Sequence, residues 1–107
     1  MANTFKNAVL NNTTTAATIY TVPSATTTIV TSLIIANDSG ADTTVGVTFY
    51  KNVGATSINI LNSAPLAAAS NMSALSNNNR LVMMTGDYIQ IAAGANVDSI
   101  ISFMEIT

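Results

Sequence analysis

Residues 26–51, TTTIVTSLIIANDSGADTTVGVTFYK, contain two runs of strand-forming residues on either side of a short polar turn. In the first run, 26–37, apolar residues occupy both alternating faces, which is typical of a strand that is buried on both sides. In the second run, 43–51, apolar residues alternate with polar ones, which is the period of a half-buried strand. The turn residues 38–42, DSGAD, favour a chain reversal, so the two runs are predicted to form an antiparallel hairpin.

Further strand signals lie on both sides of this pair. Upstream, residues 17–22 alternate and stop at Pro23, whose ring fixes φ and lacks the N–H that a strand ladder needs. Downstream, a short alternating run is followed by three more that are separated by turn residues; the four runs are 56–61, 80–84, 88–92 and 97–106.

The last run has two distinct faces. One face carries Ile100, Ser102, Met104 and Ile106, and the other carries Ser99, Ile101, Phe103 and Glu105. Because 29–35 and 100–106 contain the bulkiest apolar residues, we expect these two segments to be central strands. The Ala-rich segments are expected at edges and in loops.

The segment 64–75 is ambiguous. Ala68, Met72 and Leu75 have the spacing of one helix face, and Ser63 is a candidate N-cap. Several Ser and Asn residues weaken a helix, so the alternatives are one short helix or an ordered loop. The cluster 76–79, SNNN, is a turn signal.

The chain therefore contains about seven or eight predicted strands and no alternating helices. This pattern predicts an all-β fold, a single antiparallel two-sheet β-sandwich of Ig-like or jelly-roll-like type, that forms one domain over residues 1–107. Residues 1–11, with Phe5, Val9 and Leu10 between polar neighbours, have two interpretations. They are either an N-terminal arm laid on a partner subunit or a plain edge strand.

Composition excludes most classes of function. Only 7% of the 107 residues are charged, with three basic and five acidic side chains and a net charge of −2. The bases Lys6, Lys51 and Arg80 are scattered, whereas nucleic acids and anionic membranes need clustered bases. The chain has no His and no Cys, which removes zinc fingers, thiol nucleophiles, disulfides and Ser-His-Asp triads. We expect no nucleic-acid or membrane partner, and a protein that stays in the cytosol where it is made or is assembled into a particle there.

No catalytic, cofactor-binding or metal-binding residue is predicted. Asp38 and Asp42 share a turn and supply oxygen ligands of the kind that Ca²⁺ takes, but local backbone hydrogen bonds explain them better. Three tyrosines are expected to pack in the sandwich with their hydroxyls at its rim: Tyr20, Tyr50 and Tyr88.

An isopeptide cross-link is a further hypothesis. A buried Lys beside an Asn and an acid can condense, and the candidates by residue type are Lys6, Lys51, Asn59 and Glu105. An intact mass equal to that of the full sequence, with no ammonia lost, removes this idea.

In order and spacing, several short segments spread over nearly the whole chain resemble small virion structural proteins of tailed bacteriophages, in particular marine phages that infect cyanobacteria. The segments are Met1-Ala2-Asn3-Thr4-Phe5-Lys6, Thr18-Ile19-Tyr20-Thr21-Val22-Pro23, Leu33-Ile34-Ile35-Ala36-Asn37, Gly86-Asp87-Tyr88-Ile89, and the closing stretch from Val97-Asp98 to Met104-Glu105-Ile106-Thr107. The loop 64–68, APLAA, departs from the family by lacking a glycine.

The resemblance implies a non-enzymatic accessory protein, a decoration or cement protein on the capsid or at the head–tail neck. It implies many copies, a homo-oligomer, binding to capsid, neck or tail proteins, and a place in a virion assembled in the host cytoplasm. The low charge agrees, because a lone soluble domain usually keeps more charged residues on its surface. The alternative is a receptor- or glycan-binding module of a fibre or tail, and a small hydrolase is the third hypothesis.

Overall fold

The computed structural model describes residues 2–75 and 79–107, and the described residues form nine β-strands and no helix. The strands are β1 (Asn3–Thr13), β2 (Ala17–Thr21), β3 (Thr27–Asn37), β4 (Thr43–Lys51), β5 (Thr56–Leu66), β6 (Asn71–Ser73), β7 (Leu81–Met83), β8 (Tyr88–Ala93) and β9 (Val97–Ile106). The predicted turn at 76–79 lies, apart from Asn79, outside the described residues.

The strands form two antiparallel sheets, which confirms the predicted all-β sandwich. The first sheet has the order β1-β9-β3, with β6 and β7 both paired to the far side of β3, and the second has the order β2-β8-β4-β5. Strand β6 lies along 34–36 of β3 and β7 along 28–30, so together they act as one interrupted strand. Counted in this way, the strand order is that of a jelly roll and not of an Ig domain.

The predicted hairpin of β3 and β4 is wrong, because the two strands belong to different sheets. The buried side chain of Asn37 turns the chain at this point. Its Nδ2 donates to the carbonyl oxygens of Ala41 at 2.8 Å and Leu66 at 3.2 Å, and its Oδ1 accepts from the Ser39 N–H at 2.9 Å. These bonds lead the chain from one sheet into the other. The hairpin partner of β4 is β5, with Lys51 opposite Thr56.

The core lies between the sheets and is built by the inward faces of the strands. As predicted, β3 and β9 are central strands of the first sheet. Residues of β9 alternate as the sequence indicates, whereas the register of β3 shifts between Val30 and Ser32. This bulge changes which positions face inward. The buried residues of β3 are Thr28, Val30, Leu33, Ile35 and Asn37.

Neither alternative for 64–75 describes the whole segment, because no helix forms and the expected loop is limited to 67–70 and 74–75, with strand residues on both sides of 67–70. Strand β5 continues to Leu66 and β6 begins at Asn71. Ser63 and Ala69 have φ values of 53° and 57°, which lie in the left-handed region and are incompatible with a right-handed helix. Leu66 is buried and Met72 packs against the core, so both of these strands bury apolar residues.

The N-terminal segment is an edge strand. Strand β1 pairs with β9 from Asn3 opposite Ile106 to Leu10 opposite Ser99. Ala8 and Leu10 pack against the core. These residues therefore belong to the sandwich, whatever else they contact. The described residues contain no helix of the length and apolarity that a membrane crossing requires.

Candidate functional site

The outward side of the first sheet carries two apolar rows that cross its strands. One row joins Val9, Ile100 and Ile34, which are direct neighbours in the register of β1, β9 and β3. The other row contains four residues, Phe5, Met104, Ile29 and Val82. Together these seven residues are called the apolar face.

The apolar face is open to solvent in the monomer. Phe5 is 78% exposed and Val9 63% exposed. A shallow groove of about 420 Å³ runs beside Val9, Ile34 and Ile100. Clustered exposed apolar side chains on a small protein are typical of an interaction site.

This side of the sheet also carries little charge. The outward residues of β1, β9 and β3 include one ionisable side chain, Asp98, at the end of the groove. Between the two apolar rows lies a polar row with Asn7 opposite Ser102. The arrangement suits a partner that offers apolar side chains and neutral hydrogen-bonding groups. It contains no cluster of basic side chains that could bind a polyanion.

The outward side of the second sheet has a different character. Tyr50 and Tyr88 stack there with ring centroids 4.6 Å apart, which corrects the expectation that they pack inside the sandwich. A polar groove of about 270 Å³ lies on the same sheet and is lined by Thr44, Gly46, Thr48, Asn59 and Gln90 among others.

The third tyrosine belongs to a polar cluster at one end of the core. The Tyr20 hydroxyl donates to Glu105 Oε2 at 2.6 Å, and Lys6 Nζ lies 2.8 Å from Glu105 Oε1. Thr28 Oγ1 lies 2.7 Å from the Tyr20 oxygen, and the ring of Tyr20 packs on Phe103 with centroids 4.0 Å apart. The Glu105 side chain is 8% exposed and that of Lys6 50% exposed.

The electrostatics of this cluster are those of a structural ion pair. The hydrogen bonds from Lys6 and Tyr20 hold the pKa of the Glu105 carboxyl below its ordinary value. Burial raises the pKa of the Tyr20 hydroxyl, and its bond to Glu105 adds to the rise. Each carboxylate oxygen of Glu105 has a partner, Lys6 on Oε1 and Tyr20 on Oε2, and the protonated Tyr20 hydroxyl acts as a hydrogen-bond donor. A general acid needs a raised carboxyl pKa and a tyrosine nucleophile a lowered one, so each shift runs against such a role.

Two of the four candidate cross-link residues meet. Lys6 and Glu105 lie together as a charged pair, whereas Lys51 lies at the end of β4 and Asn59 on β5, where its Oδ1 accepts from Thr48 Oγ1 at 3.2 Å. The sequence thus named Lys6 and Glu105 by residue type, and only the pairing of the first strand with the last brings them into contact.

Two other carboxylates, Asp42 and Asp87, hold loops. Asp42 Oδ1 accepts from the Ala68 N–H at 3.0 Å. Asp87 is buried, and its two oxygens accept from the backbone N–H groups of Asn52 and Met84, both at 2.9 Å. Asp38 is exposed in the turn after β3. Both carboxylates accept from backbone N–H groups, as expected, but only the bond from Met84 to Asp87 is local; the partners Ala68 and Asn52 lie 26 and 35 residues away along the chain.

Neither a protein-family model nor a curated protein matches this chain. Among solved structures, the chain is similar to one described as "Bacillus endospore appendages form a novel family of disulfide-linked pili", with a TM-score of 0.55 and 18% identity, over 99% of this chain and 87% of that one. A second structure is that of the T13 IBDV viral particle, with a TM-score of 0.44 and 11% identity over 96% of this chain and 30% of that one. The second likeness is too weak to carry an argument, and the first shows a shared fold.

Proposed function

We propose that this protein is a non-enzymatic structural subunit of an assembled particle, and specifically an accessory decoration or cement protein of a tailed-phage virion, on the capsid or at the head–tail neck. Its partners are other virion proteins and further copies of itself. The observation that carries the proposal is the apolar face, with Phe5 and Val9 mostly exposed on a side of the sheet that has one charged residue.

The physical argument starts from repetition. A contact made by one small face is weak, but many copies on a regular lattice bind through the sum of their contacts. A chain with a net charge of −2 and few charged residues also packs beside its own copies with little mutual repulsion.

The shared fold adds support. The solved neighbour forms pili, so a chain of this fold does serve as a repeated subunit. The linkage named for that protein does not transfer, because this chain contains no cysteine. Its contacts with neighbours are accordingly proposed to be non-covalent.

The test is incorporation into particles. The chain is expressed during an infection, particles are purified by density banding, and its ratio to the major shell protein is measured by mass spectrometry. We expect a constant ratio for the natural chain and for Gln90→Lys, which adds a charge to the outward side of the second sheet. We expect Ile100→Lys, which adds the same charge to the middle of the apolar face, to be absent from the band while its circular dichroism is unchanged.

Two outcomes contradict the proposal. Absence of the natural chain from purified particles removes the structural role, and retention of Ile100→Lys removes the apolar face as the contact. Removal of residues 1–10 is a poorer test, because it takes away an edge strand whose residues pack against the core.

The alternative, a receptor- or glycan-binding module, is favoured by the stacked Tyr50 and Tyr88 beside a polar groove. Aromatic faces with neighbouring polar groups suit sugar rings. Cryo-electron microscopy of the same particles separates the two functions. Density on the shell or neck supports the decoration protein, and density at a fibre end supports the alternative.

A further inference from the structure

The four edges of the two sheets differ in how readily another strand can join them. Strand β5 carries Pro65, a left-handed Ser63 and shifts in register, all of which disrupt an edge. Strand β2 is five residues long, and the β6 and β7 edge is split into two pieces of three residues. In contrast, β1 keeps one register from Asn3 to Leu10.

The ladder of β1 and β9 defines which backbone groups lie on the free edge. The Thr107 N–H donates to the Ala2 carbonyl at 3.0 Å, so Ala2 and Thr107 oppose each other as a hydrogen-bonded pair. Because hydrogen-bonded and non-hydrogen-bonded pairs alternate in an antiparallel ladder, the even-numbered residues of β1 bond to β9. The N–H and C=O groups of Phe5, Asn7 and Val9 therefore point away from the sheet.

We propose that β1 pairs antiparallel with β1 of a second copy of this chain, about a two-fold axis at Asn7, to give one continuous sheet through both copies. In this register Phe5 lies opposite Val9 of the second copy, and Val9 opposite Phe5 of the second copy. Both pairs lie on the outward side, where Phe5 and Val9 are 78% and 63% exposed in the monomer. The ladder gains about six inter-strand hydrogen bonds between residues 5 and 9.

Charge and apolar pairing favour this register over the one with its axis at Lys6. With the axis at Asn7, Lys6 lies opposite Ala8 of the second copy and its ammonium group keeps its partner Glu105. With the axis moved to Lys6, two ammonium groups face each other and Phe5 lies opposite Asn7, which loses both apolar pairs. Like charges directly opposite destabilise a sheet, whereas aromatic and β-branched pairs stabilise it.

This inference rests on the proposed function, in which further copies of the chain are partners, and it names the β1 edge as the place where two copies join. Its test needs only the purified chain. A dimer that is not incorporated into particles overturns the proposed function alone. Incorporation of a chain that is monomeric in solution overturns the pairing alone.

The first test is a single engineered thiol, which is unambiguous because the chain has no cysteine. Opposed residues of a hydrogen-bonded pair have Cα atoms about 5.5 Å apart, within the range that a disulfide spans. Under a mild oxidant we expect Asn7→Cys to form a covalent dimer on a non-reducing gel. The control, Asn3→Cys, is about 27 Å from its own copy in the same ladder and stays monomeric. Equal cross-linking of both variants, or of neither, contradicts the pairing.

The second test removes one donor from the free edge. Asn7→Pro deletes an N–H that does not bond to β9, and proline is tolerated at such edge positions, so the sandwich is retained. Because the two copies are related by a two-fold axis, the substitution removes two inter-strand hydrogen bonds from the dimer. We expect the dimer dissociation constant from sedimentation velocity to rise at least about tenfold. Asn7→Thr keeps the N–H and the dimer. A natural chain that sediments as a monomer at every concentration, or as open-ended oligomers, overturns the proposal.

Discussion

The buried carboxylate of Glu105 has a partner on each of its two oxygens, Lys6 on one and Tyr20 on the other. Because these partners lower its pKa in the folded chain, the ionised form is stabilised by folding. Its contribution to stability is therefore fully present above the ordinary carboxyl pKa and is lost as the pH falls through the lowered value. Lys6 is half exposed, so solvent screens part of the attraction.

Replacement of Glu105 by Gln tests this pair. The amide keeps the shape but offers no negative charge to Lys6, and the free energy of unfolding at pH 7 is expected to fall by about 1–3 kcal/mol. In urea titrations, the difference between the natural chain and Glu105→Gln should narrow below the ordinary carboxyl pKa of 4.5. The exposed control Asp38→Asn should change the unfolding free energy by less than about 0.5 kcal/mol. A difference in unfolding free energy between the natural chain and Glu105→Gln that does not change with pH would contradict the ion pair.

At the scale of elements, two turns at one end of the sandwich are tied together. The carboxylate of Asp87, in the turn before β8, accepts a hydrogen bond from the backbone N–H of Asn52, in the turn after β4. Gly86 has a φ of +87°, and a Cβ built on it would lie less than 3.0 Å from the Asn52 side chain. Gly54, in the turn between β4 and β5, has a φ of +90° but nothing nearer than Thr56 Oγ1 at 3.8 Å. The two glycines share a backbone conformation and differ in the space beside them.

This difference predicts the cost of two alanine substitutions. Gly54→Ala should cost about 1 kcal/mol of stability, from the left-handed backbone alone. Gly86→Ala should cost about 2–3 kcal/mol, because the methyl group also collides with the Asn52 side chain and must displace it. Thermal or urea unfolding of the two variants measures the gap. Equal losses would mean that the Asn52 contact contributes nothing.

Sequence patterns predicted individual strands better than their partners. The faces of β9 follow its alternation, but the bulge in β3 reverses the inward positions after Val30, and no single-residue preference marks that point. The turn at 38–42 has the composition of a hairpin turn, yet Asn37 holds it by a bond to Leu66, which lies far along the chain. The apolar face also depends on which strands pair. The sequence indicated Phe5 and Val9, whereas their neighbours Met104 and Ile100 depend on the pairing of β1 with β9.

At the scale of the whole molecule, the two sheets expose different kinds of residue. The first sheet contains the first and last strands and exposes apolar residues, and the second exposes threonine, asparagine and stacked tyrosines. Among the strand pairs of the described residues, β4 and β5 alone are consecutive in the chain. The central pair, β3 and β9, joins segments separated by more than half of the sequence.

This topology predicts slow folding. A sheet built from distant strands must close large loops before its contacts form, and such β proteins fold in milliseconds to seconds. Stopped-flow circular dichroism should show refolding on this scale. Ile101→Val, at a fully buried position of β9, removes one methyl group at a cost of about 1 kcal/mol. If closure of β9 onto β3 limits the rate, this loss appears mainly as slower folding. The control Val53→Ala, in an exposed turn, should leave both rates unchanged. Refolding within microseconds, or an effect of Ile101→Val on unfolding alone, would place the barrier elsewhere.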